Sequence, residues 1–246
     1  MRRVGIIGCG AIGTLIVTEI ERRIIECDEL ILYDRNIKKA EKLKKLLHVP
    51  VTVVKSLDEM IKLGPTVIVE AASQQAVRDY IDRILAENIE LIVMSVGALL
   101  DLSIKSNKIH IPSGAIGGLD AISTAVLAGV NQVILTTRKN PKTLGMDNRE
   151  EKLVYEGTAE EAVRLFPREM NVAATLALTA QTEKVKVKII SDPKVNRNVH
   201  EIEIKWKHGN MLLKFANDPH PENPKTSALA AWSAIKLMKE ILEKHA

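Results

Sequence analysis

Short apolar runs alternate with amphipathic segments along roughly the first hundred residues of the chain. The apolar runs predict strands at 3–7, 30–33, 51–54, 67–70 and 91–94. The segments between them have helical spacing, at 12–27, 37–47, 56–62 and 75–87. A capping box of Ser56 and Glu59 is predicted for the third helix. Because the strands are apolar throughout and are followed by helices, the pattern indicates a parallel sheet covered on both faces.

The pattern changes near residue 109, where one more short strand, 109–112, leads into a glycine-rich turn and a helix over 119–128. Apolar and polar positions then alternate, which predicts a sheet with one solvated face. Its strands are predicted at 132–137, 184–190, 199–206 and 211–215. Helices are predicted at 159–165, 171–179 and 226–244, and a hairpin turn at Gly209-Asn210.

Two domains follow from this change of pattern. Residues 1–108 predict an α/β domain of Rossmann type, which the C-terminal helix 226–246 completes. Residues 109–225 predict a smaller α+β domain with a mixed or antiparallel sheet, expected to carry catalysis and dimerisation.

Composition narrows the function classes. Hydrophobic residues make up 46% and charged residues 27% of the 246 positions, which is typical of a soluble globular protein. A net charge of +4 and 3% aromatic residues argue against a nucleic-acid surface. We expect no membrane span, since no apolar run reaches the required length. Cys9 and Cys27 fit neither a disulfide framework nor a metal site, so we expect a cytoplasmic protein without a metal.

A glycine motif follows the first predicted strand and opens the first helix, and this context predicts a dinucleotide site. Gly8 allows the tight turn, Gly10 lets the backbone approach a diphosphate, and Gly13 lets the helix lie close to the sheet. The free N–H groups of the helix then face the phosphates. The predicted contacts of this motif are Gly8, Gly10, Ala11, Ile12 and Gly13.

The end of the second strand bears on which dinucleotide binds. Asp34 lies where a carboxylate accepts hydrogen bonds from the adenosine ribose, which favours NAD. Arg35 is placed to meet a 2′-phosphate, so both NAD and NADP remain open. Residues after the fourth and fifth strands are further predicted contacts: Ala71, Ala72, Ser95, Val96 and Gly97.

Two segments of the second domain also offer groups to a ligand. The turn 113–121, with the sequence SGAIGGLDA, presents backbone amides at the start of a helix. The alternative is a packing turn between domains. Asn171 begins a later helix, where an asparagine also serves as an ordinary N-cap.

Residues 217–227 contain three prolines, which predict a rigid loop before the last helix. His220 is the group in this loop that exchanges a proton near neutral pH, with Asp218 or Glu222 to orient it. A structural role for His220 carries equal weight from the residues alone. Thr226 or Ser227 is expected to cap the final helix. Four further histidines are weaker candidates, His48, His110, His200 and His208, of which only His110, before the glycine-rich turn, is retained.

Together these segments resemble the L-aspartate dehydrogenase family of archaea and bacteria. The resemblance rests on 8–13, 113–121, 171–175 (NVAAT) and 217–227 (NDPHPENPKTS). It implies oxidative deamination of L-aspartate with NAD or NADP. It further implies that His220 is the active-site histidine and that Ala115 and Asn171 contact the cofactor. A homodimer, and a role in supplying iminoaspartate to a quinolinate synthase for de novo NAD synthesis, are also implied.

The substrate of such an enzyme carries two carboxylates, so cationic groups are needed near it. Arg138, Lys139 and Lys225 are candidates, with solvated surface positions as the alternative for each. Two rival functions stay open. One is another Rossmann dehydrogenase, similar to homoserine dehydrogenase or dihydrodipicolinate reductase, and the other is a dinucleotide sensor without catalysis.

Overall fold

A computed structural model describes residues 1–102, 104–167, 169–182, 185–220 and 223–245, with the backbone alone at 219–220 and 223–226. The chain forms two compact units. The first contains Met1–Pro112 and Ala231–Ala246, and the second contains Ser113–Ala230. None of the helices in the described part of the chain combines the length and apolar character that a membrane crossing needs.

The first unit is built on a parallel sheet of six strands in the order β3-β2-β1-β4-β5-β6. The strands are β1 Arg3–Ile7, β2 Glu29–Tyr33, β3 Val51–Val53, β4 Val67–Glu70, β5 Glu90–Val93 and β6 Ile109–His110. β1, β4 and β5 are almost wholly buried, as strands covered on both faces must be. The strand order reverses at β1, which confirms the predicted Rossmann fold.

Four helices connect these strands: α1 Ala11–Glu21, α2 Ile37–Lys44, α3 Leu57–Lys62 and α4 Gln74–Ala86. The prediction of a first helix up to residue 27 was wrong by six residues. Arg23 takes a positive φ of 59°, and the N–H of Ile24 turns back to the carbonyl of Glu19, so the helix cannot continue. The second helix likewise ends at Lys44, three residues earlier than predicted.

The predicted capping box is only half formed. Ser56 Oγ accepts a hydrogen bond from the N–H of Glu59 at 3.2 Å, as expected. The Glu59 carboxylate, however, accepts from the N–H of Lys55 at 2.7 Å, one residue before the cap.

The second unit contains a mixed sheet of five strands in the order β11-β10-β7-β9-β8, which confirms the predicted class. β7 and β9 run parallel, and the other neighbours are antiparallel. Its elements are α5 Leu119–Ala128, β7 Val130–Lys139, β8 Lys152–Thr158, α6 Ala159–Leu165, α7 Asn171–Ala180, β9 Val185–Ser191, β10 Asn198–Trp206 and β11 Gly209–Asn217.

Three details of this unit differ from the sequence prediction. β8 was not predicted, because this edge strand is mostly exposed and lacks a buried apolar face. The turn between β10 and β11 lies at Lys207-His208, and Gly209 already pairs with Trp206. Asn171 is the first residue of α7 rather than its cap, which is Met170.

The proline-rich segment is a small hairpin instead of a loop. β12 Pro219–His220 pairs with β13 Asn223–Ser227 in antiparallel fashion. The last helix, α8 Ala228–Lys244, therefore begins two residues later than predicted. Thr226 and Ser227, the predicted caps, belong to β13.

Candidate functional site

The turn between β1 and α1 requires glycine at two of its three motif positions. Gly8 has a φ of +98°, and a Cβ there would lie 2.7 Å from the carbonyl oxygen of Ala71. A Cβ on Gly13 would overlap the carbonyl oxygen of Gly8. These contacts bring the turn against the loop after β4 and bring α1 close to β1, as the motif predicts.

Gly10 differs from the other two glycines. Its φ of −86° suits any residue, and no described atom lies within 4 Å of a Cβ placed on it. The open space faces the N-terminus of α1, where Gly10 is the cap residue and no side chain caps the helix. A cradle of this kind, next to free helix N–H groups, fits the diphosphate of a dinucleotide.

Asp34 holds the glycine turn from the end of β2. Its Oδ2 accepts a hydrogen bond from the N–H of Cys9, and its Oδ1 accepts from the N–H of Asn36, both at 2.8 Å. Burial and the Asp34 charge raise the pKa of the Cys9 thiol to about 12, so the thiol stays protonated. Each Asp34 oxygen keeps a lone pair for a ribose hydroxyl.

A cleft beside Asp34 continues along α4. The hydroxyl groups of Tyr33 and Tyr80 lie 3.1 Å apart at its wall, with the rings edge to face. Burial and the bond to Tyr33 raise the pKa of Tyr80 to about 12, which keeps this phenol neutral. Two exposed cations, Arg35 and Lys39, also line the cleft.

The loops after β4 and β5 meet at Glu70, which sequence reasoning did not single out. Ala71 and Ala72, two of the predicted cofactor contacts, line the cleft. Ser95 precedes the short 3₁₀ helix Val96–Leu100, which contains the predicted contacts Val96 and Gly97. Glu70 is buried at the end of β4 and hydrogen-bonds both loops. A lone carboxylate ending an apolar strand was the signal for it in the sequence.

In the second unit, the turn before α5 is tied to the end of β11. Ala115 is buried, and its carbonyl oxygen accepts a hydrogen bond from Asn217 Nδ2 at 2.8 Å. Gly114 and Gly118 both take positive φ angles, which explains these two glycines of the turn. Asn171 lies half-buried at the start of α7.

A buried polar cluster lies on the inner face of the same sheet and was missed. His200 Nδ1 lies 3.0 Å from Thr137 Oγ1, its partner in register on β7. Lys139, two residues further along β7, is 2% exposed. Burial, with a smaller contribution from the Lys139 charge, lowers the pKa of His200 to about 3. The sequence signal for His200 was the alternation of inward and outward positions along β10. Positions 198 and 200 share the inward face with Ile202 and Ile204.

Three further predicted residues form ion pairs or hydrogen bonds with charged side chains. Arg138 forms ion pairs with three carboxylates, from Glu151, Asp192 and Glu201. Asp218, expected to orient His220, pairs with Arg197 at 2.7 Å. His110 Nε2 donates a hydrogen bond of 2.6 Å to the Glu90 carboxylate, inside the first unit.

Two predicted groups fall outside this description. The backbone of His220 belongs to β12, but its side chain and that of Lys225 lie outside the described atoms. Pro221 and Glu222 lie outside the described residues altogether.

Each of the two units is similar to a known protein family. Residues 8–109 match a family profile described as homoserine dehydrogenase, NAD binding domain, and residues 120–241 match aspartate dehydrogenase, C-terminal. The L-aspartate dehydrogenase of Methanothermobacter thermautotrophicus is 40% identical, over 98% of this chain and 96% of its own. That of Methanosarcina mazei is 39% identical, over 98% and 97%. A crystal structure of aspartate dehydrogenase from Thermotoga maritima is 31% identical, with a TM-score of 0.78 over 98% of this chain and 97% of that one. The predicted resemblance is confirmed, and the chain belongs to the L-aspartate dehydrogenase family.

Proposed function

We propose that this chain catalyses the NAD(P)-dependent oxidation of L-aspartate to iminoaspartate, which water converts to oxaloacetate and ammonia. The observation that carries the proposal is the similarity to L-aspartate dehydrogenases over both units and almost the whole of each chain. The glycine cradle and Asp34 in the first unit fit the cofactor that this reaction needs.

The bound cofactor would accept the hydride that leaves the aspartate α-carbon. The turn Gly8–Gly13, with Ala11 and Ile12 at the start of α1, would hold its diphosphate, and Asp34 its adenosine ribose. Arg35 would meet the 2′-phosphate of NADP, so we propose that both dinucleotides are used. The resemblance assigns further cofactor contacts to Ala115 and Asn171.

A proton must leave the aspartate amine as the imine forms, and the resemblance assigns this transfer to His220. His200 is a second candidate. Its bond to Thr137 and the nearby Lys139 place it in a buried polar cluster, and its lowered pKa keeps the imidazole neutral, the form that accepts a proton. Lys139 is the cation that we propose for a substrate carboxylate, because it is buried on β7 two residues from Thr137, the partner of His200.

The rival functions are separated by the second unit. The match of residues 8–109 to a homoserine dehydrogenase domain concerns only cofactor binding. The match of residues 120–241 to aspartate dehydrogenase favours aspartate as the substrate over homoserine or dihydrodipicolinate. A dinucleotide sensor would need neither this similarity nor a buried histidine cluster.

The decisive experiment is an absorbance assay at about 340 nm with the purified protein, NAD or NADP, and a panel of amino acids. We expect reduction of the cofactor with L-aspartate and little with homoserine or glutamate. Binding of a dinucleotide, seen as a rise in melting temperature, without aspartate-dependent reduction would favour the sensor instead.

We also propose a homodimer located in the cytoplasm. In the second unit, Leu127 is 90% exposed and Leu212 also lies open, and a second copy would cover such side chains. Light scattering after size-exclusion chromatography would give the mass directly.

We further propose that iminoaspartate is passed to a quinolinate synthase. The support is chemical. Iminoaspartate hydrolyses in water, so an enzyme that consumes it must bind it before hydrolysis occurs. Quinolinate has three more carbons than iminoaspartate, so the test mixes both enzymes with aspartate, NAD(P) and the three-carbon co-substrate of the synthase. Quinolinate formed in this mixture, and not when preformed oxaloacetate and ammonia replace aspartate, would support this step.

A further inference from the structure

Glu70 joins two loops that are distant in the sequence. It is the last residue of β4 and is 2% exposed. Its Oε1 accepts hydrogen bonds from the N–H groups of Ala72 and Ser73, each at 2.8 Å. The same oxygen accepts from Ser95 Oγ at 3.0 Å, and Oε2 accepts from the N–H of Ser95 at 3.0 Å. One carboxylate therefore fixes the start of the loop after β4 and the start of the loop after β5.

The first of these loops also supports the glycine turn. A Cβ on Gly8 would lie 2.7 Å from the carbonyl oxygen of Ala71 and 2.9 Å from the Cα of Ala72. The two backbones are thus in direct contact where the diphosphate cradle begins. A displacement of the loop after β4 would displace the turn.

The nature of the partners separates Glu70 from another buried acid of the same unit. Glu90 is bonded to Lys108 and His110, so its charge is balanced by charged or chargeable groups. The described donors to Glu70 are backbone N–H groups and one hydroxyl. Burial raises the pKa of Glu70 despite these bonds. Burying such an acid costs free energy of folding, because the carboxyl group loses its hydration. An apolar side chain of similar volume would fill the same space without this cost, so packing alone does not account for Glu70.

We propose that Glu70 is a positioning residue for the dinucleotide, whose side chain holds the loops 71–73 and 95–97 in their binding conformation before the cofactor arrives. Preorganised donors bind a ligand more tightly because no ordering cost remains at binding. The proposal rests on the proposed function, since these loops matter in this way only if a dinucleotide binds here. Glu70 acts through the loops and does not itself contact the cofactor.

The test is the Glu70→Gln variant, with binding of NADH and of ADP measured by calorimetry. The glutamine oxygen still accepts from Ala72 and Ser73, but its NH₂ group faces the N–H of Ser95, and two donors repel. The loop at Ser95 should therefore be released while the adenosine cleft remains. We expect the Kd of NADH to rise about tenfold or more, and that of ADP to change less than about threefold.

Glu19→Gln is the matched control. Glu19 is also 2% exposed in the first unit, but its carboxylate bonds to Arg22 near the end of α1. We expect the control to lower the melting temperature without changing the Kd of NADH. Glu70→Asp, which keeps the charge but is too short to reach both loops, is the second variant if the glutamine does not fold.

The experiment distinguishes a failure of the positioning role from a failure of the proposed function. Native affinity for NADH in the Glu70 variants, or equal weakening in Glu19→Gln, would overturn the positioning role and leave the proposed function standing. Failure of the unaltered protein to bind either NADH or NADPH would count against the proposed function itself.

Discussion

The N–H of Cys9 donates a hydrogen bond of 2.8 Å to the carboxylate of Asp34, so the acid after β2 is fixed against the glycine turn. The other Asp34 oxygen accepts from Asn36. The negative charge next to the proposed ribose position is therefore held in place by backbone N–H groups. Arg35 and Lys39 line the same cleft and form no ion pair with any described residue.

Removal of these two cations should change the choice of dinucleotide. In the double variant Arg35→Ala and Lys39→Ala, we expect the Kd of NADPH to rise about tenfold or more, because the 2′-phosphate loses its counter-charges. The Kd of NADH should change less than about threefold. Fluorescence titration measures both. Lys38→Ala, which removes a neighbouring charge that does not line the cleft, is the control. Equal weakening of both cofactors would show that the cations act only through long-range attraction.

The glycines of the turn should separate binding from folding. Gly10→Ala adds a methyl group where described atoms leave open space, so we expect a normal melting temperature and at least about tenfold weaker NADH binding. Gly13→Ala places its methyl group on the Gly8 carbonyl and should destabilise the unit by about 2 kcal/mol or more. Thermal melts and NADH titrations distinguish the two. An unchanged NADH affinity in Gly10→Ala would mean that no diphosphate occupies the cradle.

The choice between the two candidate histidines is testable by kinetics. We expect His220→Gln to lower kcat by about 10²–10⁴, because a general acid–base group contributes that much. His208→Gln, at an exposed turn beside Trp206, should stay within about threefold. His200→Gln is measured alongside, with NADH binding as a check that the first unit is folded. If kcat falls by about 10²–10⁴ in His200→Gln but by less than about tenfold in His220→Gln, His200 carries out the proton transfer.

Acid should destabilise the second unit through His200. Its folded-state pKa is lowered from 6.5 to about 3, so the buried neutral imidazole favours the fold above pH 6.5. That stability is lost as the pH falls towards 3, because the unfolded chain takes up a proton first. Between about pH 8 and about pH 5 the loss should be about 2 kcal/mol.

Urea titrations at these two pH values measure this loss. The His200→Gln variant lacks the group and should show a smaller shift in its urea midpoint. Identical shifts in both proteins would rule out His200 as the cause.

The first unit was largely predictable because its signals are local. The glycine turn needs only its neighbours in sequence, and Gly8 has the positive φ that the motif requires. Asp34 follows directly after a strand whose apolar run is unmistakable. Helix ends were less accurate, since the positive φ of Arg23 depends on how the chain turns from α1 towards β2.

The groups that were missed depend on contacts between distant residues. The structural role of Glu70 depends on its hydrogen bonds to Ser95, which lies 25 residues later in the chain. His200 needs the register of β10 and β7 before Thr137 appears as its partner, 63 residues away in the chain. Neither distance is encoded in a local pattern.

Proline misled the prediction for residues 217–227. Three prolines indicated a loop, yet Pro219 and Pro224 lie in the strands of a small hairpin. Both strands of a two-stranded sheet are edges, and an edge strand tolerates a residue that donates no N–H.

The first unit is not continuous in the sequence, because Ala231–Ala246 belong to it and Ser113–Ala230 intervene. α8 supplies several of its buried side chains, among them Met238, Ile241 and Leu242. During translation the N-terminal sheet is complete at residue 110, but the helix that packs with it is made only after the second unit. Domains commonly fold in order of synthesis from the N-terminus. Here the nascent Rossmann unit must wait on the ribosome with an apolar surface uncovered until the second unit has been made.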